Sequence, residues 1–262
     1  MAIQRALVAV PARLQSSRLP NKVLADIGGK PMIQRVLEGC VQASQVETVV
    51  LCTDSSQLHD LAVQWGFPVL MTSGDCSSGS ERIASVADAL LALAWGDAAP
   101  SAAETAVINV QGDQPFIDPI TIDAMVAEFR RRDPVPAVVT PVYGLRPETV
   151  HNPNVVKTLL AHDGRALYFS RSAIPHVRDV DPAEWHQHTT YWGHVGMYGF
   201  RGDVLAVWDQ LPASPLEDVE RLEQLRLIEA GLTIATFEVQ GTSLSVDTAE
   251  QLEQARAIAS GR

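Results

Sequence analysis

Ala6-Leu7-Val8-Ala9-Val10-Pro11-Ala12-Arg13-Leu14-Gln15-Ser16-Ser17-Arg18-Leu19-Pro20-Asn21-Lys22 is a short apolar run that passes directly into a loop carrying Arg13, Arg18 and Lys22. An unbroken apolar run of this length, closed by proline, is expected of a strand buried on both faces in a parallel sheet. Downstream, Pro31 stands where a helix can start, and Met32, Ile33, Val36, Leu37, Cys40 and Val41 follow at helical spacing. Val46 to Thr53 repeats the strand signal, Asp54 is expected to cap a helix over Ser55 to Trp65, and Pro68 to Met71 is a third strand. Strands alternating with helices imply right-handed crossovers, hence the α/β class with a mainly parallel sheet and helices on both faces.

The pattern continues along the chain. Ser78-Gly79-Ser80-Glu81 matches a capping box, and the spacing predicts one amphipathic helix continuing through Ile83, Val86, Ala87, Leu90, Leu91 and Leu93. Thr105 to Val110 reads as a buried strand that delivers Gln111-Gly112-Asp113-Gln114-Pro115 to its C-terminal end, the edge where ligands gather in open α/β sheets. Residues 119 to 132 read as a helix and Pro134 to Pro141 as a strand. From about 143 to 200 short strands and polar loops predict an antiparallel flap inserted into a single domain spanning 1–262. Pro215 to Ala230 is predicted as one helix, Leu232 to Val239 as a strand, and Thr248 to Ser260 as a final helix.

Composition narrows the function. The 262 residues carry a formal net charge of -11, which argues against nucleic acid or an anionic membrane as partner. Within residues 1–35, however, Arg5, Arg13, Arg18, Lys22, Lys30 and Arg35 face a single acid, Asp26, so the opening is locally positive and suits a small anion. Cys40, Cys52 and Cys76 are odd in number and lack metal-ligand spacing, as in a reducing compartment. The apolar run before Pro11 is too short for a signal sequence, and no run approaches membrane-spanning length, so a cytoplasmic protein is expected.

No Gly-x-Gly-x-x-Gly or Gly-x-x-x-x-Gly-Lys-Ser/Thr is present, so side-chain cations must do the phosphate work. Arginine offers a planar fork for phosphate oxygens and lysine a compact charge; the alternative is a solvated basic loop. Asp113, after a buried strand and a glycine, and Asp247, before the last helix, are the carboxylates that suit a divalent cation, or else cap a turn or helix. Glu217 and Gln224, seven residues apart on the predicted helix, share a face that is either part of a site or simply solvated. Arg171, His176, His194 and Tyr198 are candidate ligand contacts from the flap, a structural histidine being the alternative.

Taken together, Pro11-Ala12-Arg13…Ser17-Arg18-Leu19-Pro20-Asn21-Lys22, Gly29-Lys30-Pro31-Met32-Ile33, Asn109-Val110-Gln111-Gly112-Asp113, Asn152-Pro153-Asn154-Val155-Val156-Lys157, Ala166-Leu167-Tyr168-Phe169-Ser170-Arg171, His194-Val195-Gly196-Met197-Tyr198, Ser214-Pro215-Leu216-Glu217…Leu222-Glu223-Gln224-Leu225-Arg226 and Val246-Asp247-Thr248 strongly resemble the 3-deoxy-manno-octulosonate (Kdo) cytidylyltransferase family over nearly the whole chain. The resemblance implies a Rossmann-like fold of the nucleotide-diphospho-sugar transferase type. It also implies transfer of CMP from CTP to the anomeric hydroxyl of Kdo for lipopolysaccharide synthesis, with release of pyrophosphate, by a homodimer. Read onto this chain, Arg13, Arg18 and Lys22 would hold the triphosphate, with Ala12, Ser78, Gly79, Arg82 and Gln111 near the nucleotide. Asp113 and Asp247 would hold Mg²⁺, and Arg13, Lys22, Asp113 and Asp247 would carry the catalysis. Arg171, His194, Tyr198, Glu217 and Gln224 would line the sugar-acid pocket.

The chain also departs from the family pattern. Cys76 stands where a histidine is common, Gln114 where an acid often follows the metal-binding aspartate, and Ser245 where a glycine is usual. These changes leave 8-amino-Kdo or a sialic acid as rival acid sugars, and a non-catalytic nucleotide-binding protein as the reading from another class.

Overall fold

The computed structural model describes residues 2–16, 19–241 and 244–261. Strand β1 (Arg5–Ala12) is followed by a short turn at Lys22–Leu24 and a small antiparallel pair, β2 (Asp26–Ile27) and β3 (Lys30–Pro31). Then come α1 (Met32–Cys40), β4 (Val49–Thr53), α2 (Ser56–Gln64), β5 (Val69–Met71), α3 (Gly79–Ala84), α4 (Ala87–Trp95), β6 (Thr105–Asn109), α5 (Pro119–Arg131) and β7 (Val138–Gly144). The flap region supplies β8 (Lys157–Leu160), β9 (Ala166–Ser170), β10 (Trp192–His194) and β11 (Tyr198–Arg201). The chain finishes with α6 (Gly202–Ala206), α7 (Pro215–Glu220), α8 (Gln224–Glu229), β12 (Ile234–Glu238) and α9 (Ala249–Ala259).

β1 runs parallel to both β4 and β6, and β5 extends this block on the β4 side. On the other side β11 pairs antiparallel with β6 and with β7, and β10, β8 and β9 continue the same sheet antiparallel. β12 joins β7 in parallel. The flap strands therefore belong to the main sheet.

The uninterrupted apolar run of β1 follows from its place in this sheet. Ala6, Val8 and Val10 pack into one core with Ile33, Val36 and Leu37 of α1 and Met125, Val126 and Phe129 of α5. Leu7 and Ala9 point to the opposite face and pack with Ile83 of α3, Leu90 of α4, Val204 and Leu205 of α6, and Leu225 of α8. Period-two alternation with both faces covered leaves no position for a polar side chain. Phe129 is fully buried, and its truncation to alanine would cost about 3–5 kcal/mol.

The structure corrects several local expectations. Ser55, not Asp54, caps α2, accepting from the Leu58 N–H, while Asp54 is drawn off to the Arg82 guanidinium. The helix expected to run on from Ser80 through Leu93 is two helices, α3 and α4, separated at Ser85 and Val86. Ser78 caps α3 through the Glu81 N–H, but the Glu81 carboxylate turns to the Ser77 N–H. The helix expected over 215–230 is broken at Arg221, whose backbone is left-handed at φ 55° and ψ 49°. Its N–H closes α7 on the Glu217 carbonyl at 2.7 Å, and α8 starts afresh at Gln224. Glu217 and Gln224 consequently do not share a helix face. Among the described residues no helix is long and apolar enough to cross a membrane.

Candidate active site

Parallel strands bring their C-terminal ends to one edge, and this places the end of β1 beside the segment that follows β6. Pro11, Ala12, Arg13, Lys22, Ser78, Gly79, Arg82, Gln111, Asp113 and Asp247 line one cavity of about 270 Å³ at that edge. Every described residue expected at the nucleotide or metal thus meets in one place. Arg18 lies outside the described residues.

Lys22 sits at the centre of the charge arrangement. Its ammonium donates to Asp113 Oδ2 at 2.7 Å and to Asp247 Oδ1 at 2.8 Å, across sequence separations of 91 and 225 residues. Burial pulls the ammonium pKa down, but the two carboxylates outweigh this and hold it above the ordinary lysine value. The segments carrying the aspartates are tied together by the Val246 N–H donating to the Asp113 carbonyl at 2.9 Å. Capping is not the task of Asp247: Thr248 caps α9 in a full capping box with Gln251. The carboxylate of Asp247 is thereby left to face Lys22.

Close packing shapes the nucleotide side. A Cβ on Gly79 would lie 2.9 Å from Gln111 Oε1 and 3.0 Å from Pro11 Cγ, so only glycine lets α3 start this close to the strand ends. Arg82 lines the cavity but is only 3% exposed, and its guanidinium is held by Asp54, Thr72 and the Ser73 carbonyl. It braces the loop before α3 and supplies positive potential.

The residues expected at the sugar acid are not part of this cavity, and the structure divides them. His194, Tyr198 and Gln224 form one cluster: the His194 and Tyr198 rings are 5.4 Å apart, and the Tyr198 hydroxyl donates to Gln224 Oε1 at 2.9 Å. His194 Nε2 meets Thr140 Oγ1 at 3.0 Å, and the ring also packs on Phe169. Although the residue keeps some surface, enclosure of the ring pushes its pKa down to about 3, so the imidazole is neutral at ordinary pH. Glu217 is engaged elsewhere, accepting from Arg226 Nε at 2.7 Å.

Arg171 is spent on the fold. Its Nε donates to the Glu220 carbonyl at 2.8 Å, with the Pro153 and Arg221 carbonyls at 3.2 and 3.3 Å from its terminal nitrogens. It satisfies carbonyls that the end of α7 leaves without helical partners. Its own carbonyl accepts from the buried Lys157 ammonium at 2.5 Å. His176 lies apart, edge-on to Trp185 with ring centroids 4.7 Å apart.

Three residues not singled out from sequence join the two sides. Ser80 and Asn109 are fully buried, and Ser80 donates to Glu223 Oε1 at 2.9 Å. Burial raises the Glu223 pKa, with the Ser78 and Ser80 hydroxyls pulling the other way. Glu223 Oε2 and Gln224 Nε2 are buried without hydrogen-bond partners among the described residues. The signal for Asn109 was present, an amide between Ile108 and Val110 at the end of an apolar strand; nothing in the sequence marked Glu223 over Glu217.

Whether the Asp113–Asp247 side of the cavity suits a cation can be judged from its donors. Two carboxylates converging on one point, in a cavity with room for phosphate oxygens and water, suit Mg²⁺, which seldom takes an all-protein cage.

Comparison with known proteins identifies the family. The family model described as cytidylyltransferase matches residues 7–234. The chain is 40% identical over 256 residues to the 3-deoxy-manno-octulosonate cytidylyltransferase of Chlorobaculum tepidum, covering 97% of this chain and 96% of that one. It is also 40% identical to the enzyme of the same name from Porphyromonas gingivalis, covering 95% and 94%. A solved structure of CMP:2-keto-3-deoxy-manno-octonic acid synthetase complexed with CTP superimposes with a TM-score of 0.88 at 38% identity, covering 98% and 99%. A putative glucose-1-phosphate thymidylyltransferase from Bacillus anthracis, at 15% identity and a TM-score of 0.65, shares the fold.

Proposed function

The chain belongs to the cytidylyltransferase family, and we propose that it transfers CMP from CTP to 3-deoxy-D-manno-octulosonate, releasing pyrophosphate and supplying CMP-Kdo to lipopolysaccharide synthesis. The observation that carries this reading is the convergence of Lys22, Asp113 and Asp247, from three distant parts of the chain, in the lining of a cavity that Gly79 and Gln111 also line.

In this reaction the anomeric hydroxyl of the sugar acid attacks the α-phosphorus. The new O–P bond forms as the bond to the β-bridging oxygen breaks, the pyrophosphate departs, and the hydroxyl proton passes to solvent water. Arg13 and Lys22 bind the phosphates and balance the charge that grows on them, while Ser78, Gly79 and Gln111 orient the nucleoside end. Asp113 and Asp247 are the residues that would hold Mg²⁺, which when bound supplies charge neutralisation at the phosphates. Two donors of the Lys22 ammonium serve the carboxylates, and an ammonium has a third for a phosphate oxygen. Of the residues expected at the sugar acid, His194, Tyr198 and Gln224 stand together, and the family resemblance supports a role for this cluster there. We further propose a cytoplasmic homodimer.

A pyrophosphate-release assay with CTP and Mg²⁺ tests the reading, run in parallel with Kdo, 8-amino-Kdo and a sialic acid. Release with Kdo well above the other two is expected. Turnover only with another acid sugar would reassign the substrate, and CTP binding with no turnover on any of them would make the protein a non-catalytic nucleotide binder.

A further inference from the structure

A line of buried side-chain hydrogen bonds leaves the nucleotide cavity and ends on a different element. Gln111 Nε2 donates to Asn109 Oδ1 at 3.1 Å, Asn109 Nδ2 donates to Ser80 Oγ at 3.1 Å, and Ser80 Oγ donates to Glu223 Oε1 at 2.9 Å. Gln111 lines the cavity, whereas Glu223 does not. The line crosses from the segment after β6, through the first turn of α3, to the residue preceding α8.

We infer that Asn109 and Ser80 are positioning residues that fix the amide orientation of Gln111 from the Glu223 carboxyl, and so couple the nucleotide side of the site to the opposite side. A serine hydroxyl has one proton. Because the Ser80 proton goes to Glu223 Oε1, its oxygen is left to accept, and only the nitrogen of Asn109 can occupy that place. The Asn109 oxygen must then face Gln111, which must answer with its own nitrogen. The Gln111 oxygen is in consequence turned to the other side of its amide. Each choice is forced by the one before it, and the order starts at the acceptor-rich end, Glu223.

Burial adds weight to this reading. Asn109 and Ser80 are both 0% exposed, beside Val107, Ile108 and Ile83, where apolar residues would pack at lower cost in desolvation. A buried polar group is tolerated when its partners are complete, and here each link completes the next.

The inference rests on CTP being the ligand of the cavity, and calorimetric titration of CTP into the full chain with Mg²⁺ separates the two claims. Ser80→Ala and Glu223→Met, each of which removes the Ser80–Glu223 hydrogen bond, are expected to raise the CTP dissociation constant about fivefold, the scale of one buried hydrogen bond. The double variant should bind no worse than Ser80→Ala alone, because the two substitutions cut the same line. Ser80→Thr keeps the hydroxyl and should restore affinity, which a loss of affinity through misfolding would not allow. Effects that add in the double variant, or a parental dissociation constant in Glu223→Met, would overturn the coupling while leaving CTP as the ligand. Absence of CTP binding by the parent would overturn both.

Discussion

Lys22→Met replaces the ammonium between Asp113 and Asp247 with an uncharged side chain of similar length. The two contacts, 2.7 and 2.8 Å, add to 5.5 Å, so the bonded carboxylate oxygens can be no farther apart than that. At this separation, with an effective dielectric of ~20 for side chains that are 15, 21 and 30% exposed, Coulomb's law gives a repulsion of about 3 kcal/mol. Rotation of the carboxylates toward water relieves part of it, leaving a net loss of about 2 kcal/mol. For a domain of this size that lowers Tm by roughly 4–8 °C. The assay is thermal unfolding in EDTA and again with Mg²⁺, both without nucleotide. In EDTA the variant should melt clearly below the parent; with Mg²⁺ it should recover, because a cation can now enter between the carboxylates. The parent should respond weakly, since its own ammonium holds that place. A variant that melts within about 1 °C of the parent in EDTA, or that ignores Mg²⁺, would refute the reasoning.

Three further outcomes are expected. Asp113→Asn should lower turnover on the order of 10²-fold or more through loss of a charge at the reacting phosphates; near-normal steady-state rates would remove Asp113 from the metal site. His194 has a folded pKa of about 3 against an ordinary 6.5, so its contribution to stability is whole above pH 6.5 and declines as pH falls toward 3. Between those limits His194→Gln should flatten the dependence of the urea midpoint on pH, and an unchanged slope would exclude the histidine as its source. In Gly79→Ala the new Cβ would sit 2.9 Å from Gln111 Oε1 and against the rigid Pro11 ring, displacing the amide. CTP affinity should drop about tenfold, and calorimetry showing parental affinity would place the amide outside nucleotide recognition.

Legibility of the site followed distance along the chain. The residues lining the cavity were readable because Pro11–Arg13 close one buried strand and Gln111–Asp113 follow another within a few residues, and parallel strands deliver such segments to a common edge. The sugar-acid set was only partly so. His194, Tyr198 and Gln224 do meet, but Glu217 and Arg171 are taken up by Arg226 and by the carbonyls at the end of α7. Helical spacing over 215–230 hid the break at Arg221, since the apolar positions on either side keep a helical period while one left-handed residue redirects the axis.

By itself the sequence determined the alternation of strand and helix, the double-sided burial of β1, and the family, because local spacing and short motifs carry that information within a few residues. Tertiary structure alone decided that Lys22 rests between Asp113 and Asp247, that Arg171 closes a helix end, and that Asn109 and Ser80 join Gln111 to Glu223. Such pairings depend on where distant elements meet and on which buried donor finds which acceptor. Those are choices made by packing and desolvation, after the chain has folded.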